Sequence, residues 1–456
     1  MEKIRQRLSA YLGSQQFTWP ALRSMFLTLT LDQFFIIFIN MLSTALVSSV
    51  GEAAIAAVSM AGTVNGMVSL IFTSVSSGGA IIAARAKGRG DREEIRQTIG
   101  TVTGLSFLVA AVLGSLLFTL SPMLVQGLYP SVEPQLSAYA SQYIRLIALS
   151  FLPFSIFNAI FNLFRCLGDT RSSLFLTIVI NVTHLLLSLL FINGLKLGVL
   201  GSGLSYIAAR TVGMVLALVW LLAVHRDYGV RPRHFVRFPR QVIREVAEMG
   251  APMTLESLLM QGGMLLVNIY LARLATTEMA AHAVANSIFN LFAIPGNALL
   301  ALTGTVCGQC YGAADYGLTR QYSRRLVFSG CVLLLFTSLV LWPLLPLLLR
   351  LYGATPAGVV LIRQALFIGV AALPFLWCGS YLPAMSLRVA GDGVFTSAVS
   401  VLALMLCRCV LGYVLTIPLG LGIRGVWFAL ITEWLLRALA FRLRMRGDRW
   451  LHIKTA

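Results

Sequence analysis

The sequence predicts an all-α integral membrane fold, with twelve transmembrane helices in two parallel-repeat six-helix bundles. Three observations predict it. Of 456 residues, 58% are hydrophobic and 11% charged, against roughly 25% charged in an ordinary soluble protein. The apolar residues gather into twelve runs near 22–48, 54–84, 95–118, 136–164, 171–193, 198–224, 247–272, 279–308, 325–349, 361–387, 394–418 and 423–441. A bilayer span needs about 20 such residues, and helices satisfy every backbone group within one segment. Finally, the second half of the chain repeats the first, motif by motif.

In chain order, residues 1–20 form a short basic lead-in whose Ile4, Leu8, Tyr11 and Leu12 can lie along one face at the membrane surface. The N-terminal stretch lacks a cleavable signal pattern, because the apolar run that follows is too long for one. Residues 21–224 make a first lobe of six helices, and 225–246 a basic linker rich in Arg and Pro. Residues 247–441 make the second lobe and 442–456 a basic tail. Thr30-Leu31-Asp32 matches Thr254-Leu255-Glu256, and Leu152-Pro153-Phe154 matches Leu373-Pro374-Phe375. Arg165-x-x-Gly168-Asp169 matches Arg388-x-x-Gly391-Asp392, and Leu197-Gly198-x-x-Gly201 matches Leu421-Gly422-x-x-Gly425. Six helices is an even number, so both copies enter the membrane from the same side. Repeats related by an axis along the membrane normal usually make transporters, with substrate held between the halves.

The net charge of +18 is read as topology rather than nucleic-acid binding. Lys and Arg gather in the tails, in 85–96, 165–171, 226–244 and 320–325 and at Arg388, while the opposite loops carry Lys196, Arg273, Arg350, Arg363 and Arg424. By the positive-inside rule both termini are expected in the cytoplasm, facing anionic lipid of the plasma (inner) membrane. The seven cysteines show no disulfide or metal framework. Cys307-x-x-Cys310 and Cys407-x-Cys409 lie in apolar helices and read as small buried residues.

Chemistry is sought where charge is expensive. An ionised side chain in hydrocarbon costs from about 3 to over 10 kcal/mol. Glu256 and Asp32 both fall in apolar runs, and a buried carboxyl whose pKa answers to neighbouring charge can exchange H+, Na+ or a cationic substrate. Asp32, Asn40 and Ser43 share one helical face; Asn181, His184 and Ser188 line another, with Asn158 and Asn162 on the helix before. His184 is either a proton relay or a neutral core residue. Arg210 and Arg408 lie inside helices and need acceptors. Glu433 with Arg437, one turn apart, supplies a pair, and Arg408 can face either Glu433 or Glu256. Phe154, Phe157, Phe161 and Phe164, then Trp377, Tyr381, Met260 and Met264, are either a flexible lining for apolar cations or ordinary packing. No phosphate-cradling loop, HExxH or Ser-His-acid set occurs, so neither an enzyme nor ATP is expected, and no cofactor beyond H+ or Na+.

Several stretches carry a family resemblance from end to end. Val50-Gly51-Glu52-Ala53-Ala54-Ile55-Ala56-Ala57-Val58, Arg165-Cys166-Leu167-Gly168-Asp169-Thr170, Gly250-Ala251-Pro252, Ala280-Ala281-His282-Ala283-Val284 and Gly308-Gln309-Cys310-Tyr311-Gly312-Ala313 are similar to the multidrug and toxic compound extrusion family. The resemblance implies an exporter of varied, often cationic, amphipathic small molecules, driven by inward H+ or Na+; a V-shaped monomer is expected. It also implies a functional acid on helix 7, near Glu256. One branch of that family carries an aspartate where Ser43 stands, and an Asn and an Asp where His184 and Ser188 stand; Asn181 fits its pattern. The alternative is a flippase for a lipid-linked or anionic amphipathic substrate, with Arg210 and Arg408 on phosphate. A scaffold or sensor is the third class.

Overall fold

The computed structural model describes residues 11–14, 16–48, 52–128, 134–352 and 355–452, with side chains described outside 39–60 and 128–136. Among the described residues, twelve long helices follow in order. They are α1 Trp19–Ser48, α2 Glu52–Arg89, α3 Arg92–Leu128, α4 Pro134–Cys166, α5 Thr170–Gly194 and α6 Gly198–Val224. The second set is α7 Arg240–Leu271, α8 Thr276–Gly312, α9 Tyr316–Leu351, α10 Pro356–Val389, α11 Gly393–Thr416 and α12 Ile423–Arg444. Among the described residues, ten are long and apolar enough to cross a membrane. The other two, α7 and α12, carry Glu256 and the Glu433–Arg437 pair, so buried charge itself makes them less apolar.

The chain divides into two compact units, 31–254 and 1–30 with 255–456. Both divides fall inside helices, between Thr30 and Leu31 of α1 and between Thr254 and Leu255 of α7. The first turns of α7 therefore belong with α2 to α6. Helix α7 begins at Arg240, inside the stretch expected as linker, because Val242, Val246 and Met249 form an apolar stripe that is buried. Gly78 of α2 permits the approach, since a Cβ there would meet the Gly250 nitrogen at 2.9 Å. The rest of the expected linker is packed rather than free. It runs through short helical turns at Arg226–Tyr228 and Pro232–Phe235, and Gly104 of α3 leaves room for the Phe235 carbonyl.

Unit 31–254 has one core around Ile99, Ile160, Phe164 and Leu176, and another around Phe72, Ile144 and Phe151. In the other unit the lead-in is anchored where the Tyr322 hydroxyl donates to the Leu12 carbonyl (2.9 Å). There the tail folds back, burying Trp450 and Leu451 against Leu387 and Phe441. Large apolar side chains such as Val112, Phe336 and Leu402 remain exposed along the helix faces, as a lipid environment allows.

Candidate functional site

Glu256 and Asp32 each meet the arginine of the same repeated motif. In unit 255–456, Arg388 Nη2 lies 2.8 and 2.6 Å from the two Glu256 oxygens. The Ser397 hydroxyl donates to Glu256 Oε2 at 2.8 Å. One carboxylate thus ties α7 to α10 and α11, and it is buried with 8% of its surface exposed. In unit 31–254, Arg165 of α4 stands 4.0 Å from Asp32, which is 1% exposed. Arg165 also lies over the Phe161 ring at 5.1 Å. The acids precede their arginines by more than a hundred residues in each half, yet the repeat delivers both pairs.

The backbone preparing each acid is also repeated. Two residues before it, the hydroxyl of Thr30 donates to the Phe26 carbonyl and that of Thr254 to the Gly250 carbonyl, both at 2.8 Å. Such back-bonding satisfies the hydroxyl and slightly loosens the helix. Beyond each arginine the matched Gly-Asp turn starts the next helix. Asp169 pairs with His225 at 2.8 Å, and Asp392 with Arg444 at 2.7 Å.

The open alternative for Arg408 is resolved toward Glu433. Arg408 Nε is 2.5 Å from Glu433 Oε2, and Arg437 Nη1 is 3.2 Å from Oε1. Glu433 is fully enclosed. Arg408 sits where α11 widens into a π-helical stretch, Leu404–Leu411, a local irregularity common at functional sites. Its Nη1 also reaches the Met264 sulfur (3.0 Å), and Arg437 covers the Tyr381 ring, which stacks on Trp377. Met264, Tyr381 and Trp377 therefore surround this charged network, with Met260 half-buried one turn nearer Glu256.

The first-unit residues assemble differently. Asn158 and Asn162 both donate to Ser76, and Asn181 donates to its own helix at the Thr177 carbonyl. Ser188 bonds Ser205 across to α6, and His184 packs edge-on against Tyr206. Asn158, Phe157 and Phe161 lie in the packed core rather than on an open surface, and Phe157 stacks on Phe161. Phe154 covers the Arg210 guanidinium at 4.0 Å. The side chains of Asn40 and Ser43 lie outside the described residues. Arg388, Arg165 and Ser397 were not singled out as partners from sequence, although Arg165 and Arg388 stood in register in the repeat beside the two acids.

Duplicated acid–arginine pairs inside apolar, membrane-crossing helices define a membrane transporter built on an internal repeat. The model of one family, MatE, matches residues 29–190 and again residues 252–414. The chain belongs to that family, the multidrug and toxic compound extrusion transporters, which are not enzymes. It is similar to the uncharacterized transporter YisQ of Bacillus subtilis, 21% identical over 95% of this chain and 94% of that one. A probable multidrug resistance protein NorM of Deinococcus radiodurans is 27% identical over 90% of this chain and 92% of its own. Among solved structures, MATE in complex with MaL6 matches with TM-score 0.87 at 18% identity, covering 94% of this chain and 96% of that one. A MOP superfamily transporter from Pyrococcus furiosus, described as having a binding pocket of reverse polarity, matches with TM-score 0.85 at 18% identity over 95% and 96%.

Proposed function

We propose that the chain exports amphipathic cationic drugs or metabolites in exchange for H+ or Na+, by alternating access in the inner membrane with both termini cytoplasmic. The observation that carries this reading is the carboxylate of Glu256 held by Arg388 and Ser397. A proton, a sodium ion or an organic cation can each take the place of the guanidinium. Protonation neutralises the carboxylate that faces the Arg388 guanidinium and so weakens the tie of α7 to α10 and α11. A ligand shifts a conformational equilibrium only by binding one state better than the other, and this carboxylate supplies that difference. Inward movement of one charge down the membrane potential adds about 2.3 kcal/mol per 100 mV. Asp32, more loosely held, is the secondary exchange site, with Asn181, His184 and Ser188 as the polar wall of its unit. Met260, Met264, Trp377 and Tyr381 offer polarisable contacts to the substrate in the other. The likeness to a probable multidrug resistance protein of Deinococcus radiodurans supports drug export.

The test is efflux of a cationic dye from vesicles containing the purified protein under imposed pH or Na+ gradients, wild type against Glu256→Gln. Loss of gradient-driven efflux in a variant that still folds is expected. Undiminished coupling in the variant would remove Glu256 from the exchange.

A second reading, a flippase or exporter of anionic amphipaths, is favoured by Arg210. This buried guanidinium donates to the Ser150 and Tyr206 hydroxyls and lies between the Phe154 and Tyr206 rings, with no carboxylate partner among the described residues. Arg408 is already neutralised by Glu433, so a phosphate in this reading falls to Arg210. Transport of an anionic rather than a cationic probe, lost in Arg210→Gln, would select it.

A further inference from the structure

Away from the acid–arginine pairs, the C-terminal unit carries a second collection of charge. A cavity of about 780 Å3 opens between α9, α10 and α12. Arg320, Arg324, Arg442 and Arg446 wall one end; Phe328, Phe375, Leu376, Leu435 and Leu439 form the apolar remainder. Arg320 is engaged by Asp448 at 2.6 Å. The other three guanidiniums are exposed and have no ion pair among the described residues. Trp450, also in the wall, is fully buried and fixes the tail that carries Arg446 and Asp448. Around the start of α3 in the other unit, by contrast, Arg89 is paired with Glu94 and Arg96 with Glu93.

Guanidiniums without carboxylates, continuous with an apolar wall among membrane-crossing helices, match one ligand chemistry: a phosphate that carries acyl chains. Free phosphate uses the arginines and leaves the aromatic and leucine wall bare. A neutral lipid does the reverse. We propose that this cavity binds an anionic phospholipid of the bilayer, its phosphate on Arg324, Arg442 and Arg446 and its chains along Phe328, Phe375 and Leu439. Basic pockets between spanning helices at the membrane surface suit such headgroups, and planar guanidiniums suit phosphate oxygens.

The experiment uses the full chain in nanodiscs of equimolar phosphatidylglycerol and phosphatidylcholine, with retained lipid counted by native mass spectrometry. Wild type is expected to keep phosphatidylglycerol selectively. Each arginine near an anionic surface contributes a factor of about 5, so the triple variant Arg324→Gln, Arg442→Gln and Arg446→Gln should lose about a hundredfold of that preference. Leu439→Trp, which keeps every arginine and fills the apolar end, should also lose retention. Arg226→Gln with Arg233→Gln, in the basic connection of the other unit, should leave it unchanged. Equal retention of the two lipids by wild type, an unaltered preference in the triple variant, or displacement of the lipid by millimolar inorganic phosphate overturns the proposal. None of these readouts depends on transport.

Discussion

Glu256 and Asp32 occupy the same position of a duplicated motif, yet one is clamped and the other is merely near its arginine. Glu256 meets Arg388 at 2.6 Å and a serine besides, whereas Asp32 stops 4.0 Å short of Arg165. The shortfall is close to one carbon–carbon bond of about 1.5 Å, which is the difference between the two side chains. The shorter of the two acids stops beyond hydrogen-bond reach of its arginine, and the longer one is bonded to it. The same duplication thus yields a strong and a weak site, and coupling is expected to rest mainly on the strong one.

Three substitutions test that contrast, from the largest expected effect downward. Arg388→Met strands a buried carboxylate and should lower stability by about 3–5 kcal/mol in a detergent melt, with Glu256→Gln added to it recovering much of the loss. Equal losses in the single and double variants would break the idea of a matched pair. Glu256→Asp pulls the carboxylate back toward the geometry of Asp32. It should cost about 1.5–3 kcal/mol, the worth of a hydrogen bond to a charged group, and weaken gradient-driven efflux. Arg165→Met should cost least, about 1 kcal/mol, because Arg165 comes no nearer to Asp32 than 4.0 Å. If it matches Arg388→Met in the same melt, the two sites are equivalent after all.

The helices themselves were legible because lipid demands long apolar runs, and the repeat was legible because both copies kept their turn motifs. The start of α7 was not. Arg240, Arg244 and Glu245 give that stretch the composition of a linker, and the buried stripe of Val242, Val246 and Met249 shows only at helical spacing. The acids stood out as isolated charges in apolar runs, but their partners lie far along the chain, Arg388 being 132 residues from Glu256. No local pattern joins them; only the joint repetition of acid and arginine hints at it. Arg408 had two acceptors in view from sequence, and packing of α11 on α12 chose Glu433. The phenylalanine stripe of α4 could have been lining or core, and at Phe157, Phe161 and Phe164 it is core.

The divides at Thr30 and Thr254 place the leading segment of each repeat in the unit built mostly from the other copy. Leu22, Met25 and Leu29 are buried there, as Val242 and Val246 are in theirs. A half-length ancestor folding by this plan would have left that segment without its seat. It would have found one on a second molecule, as in a dimer that exchanges a helical segment. Expressing either half alone should for the same reason give a protein that self-associates rather than a smaller version of the whole.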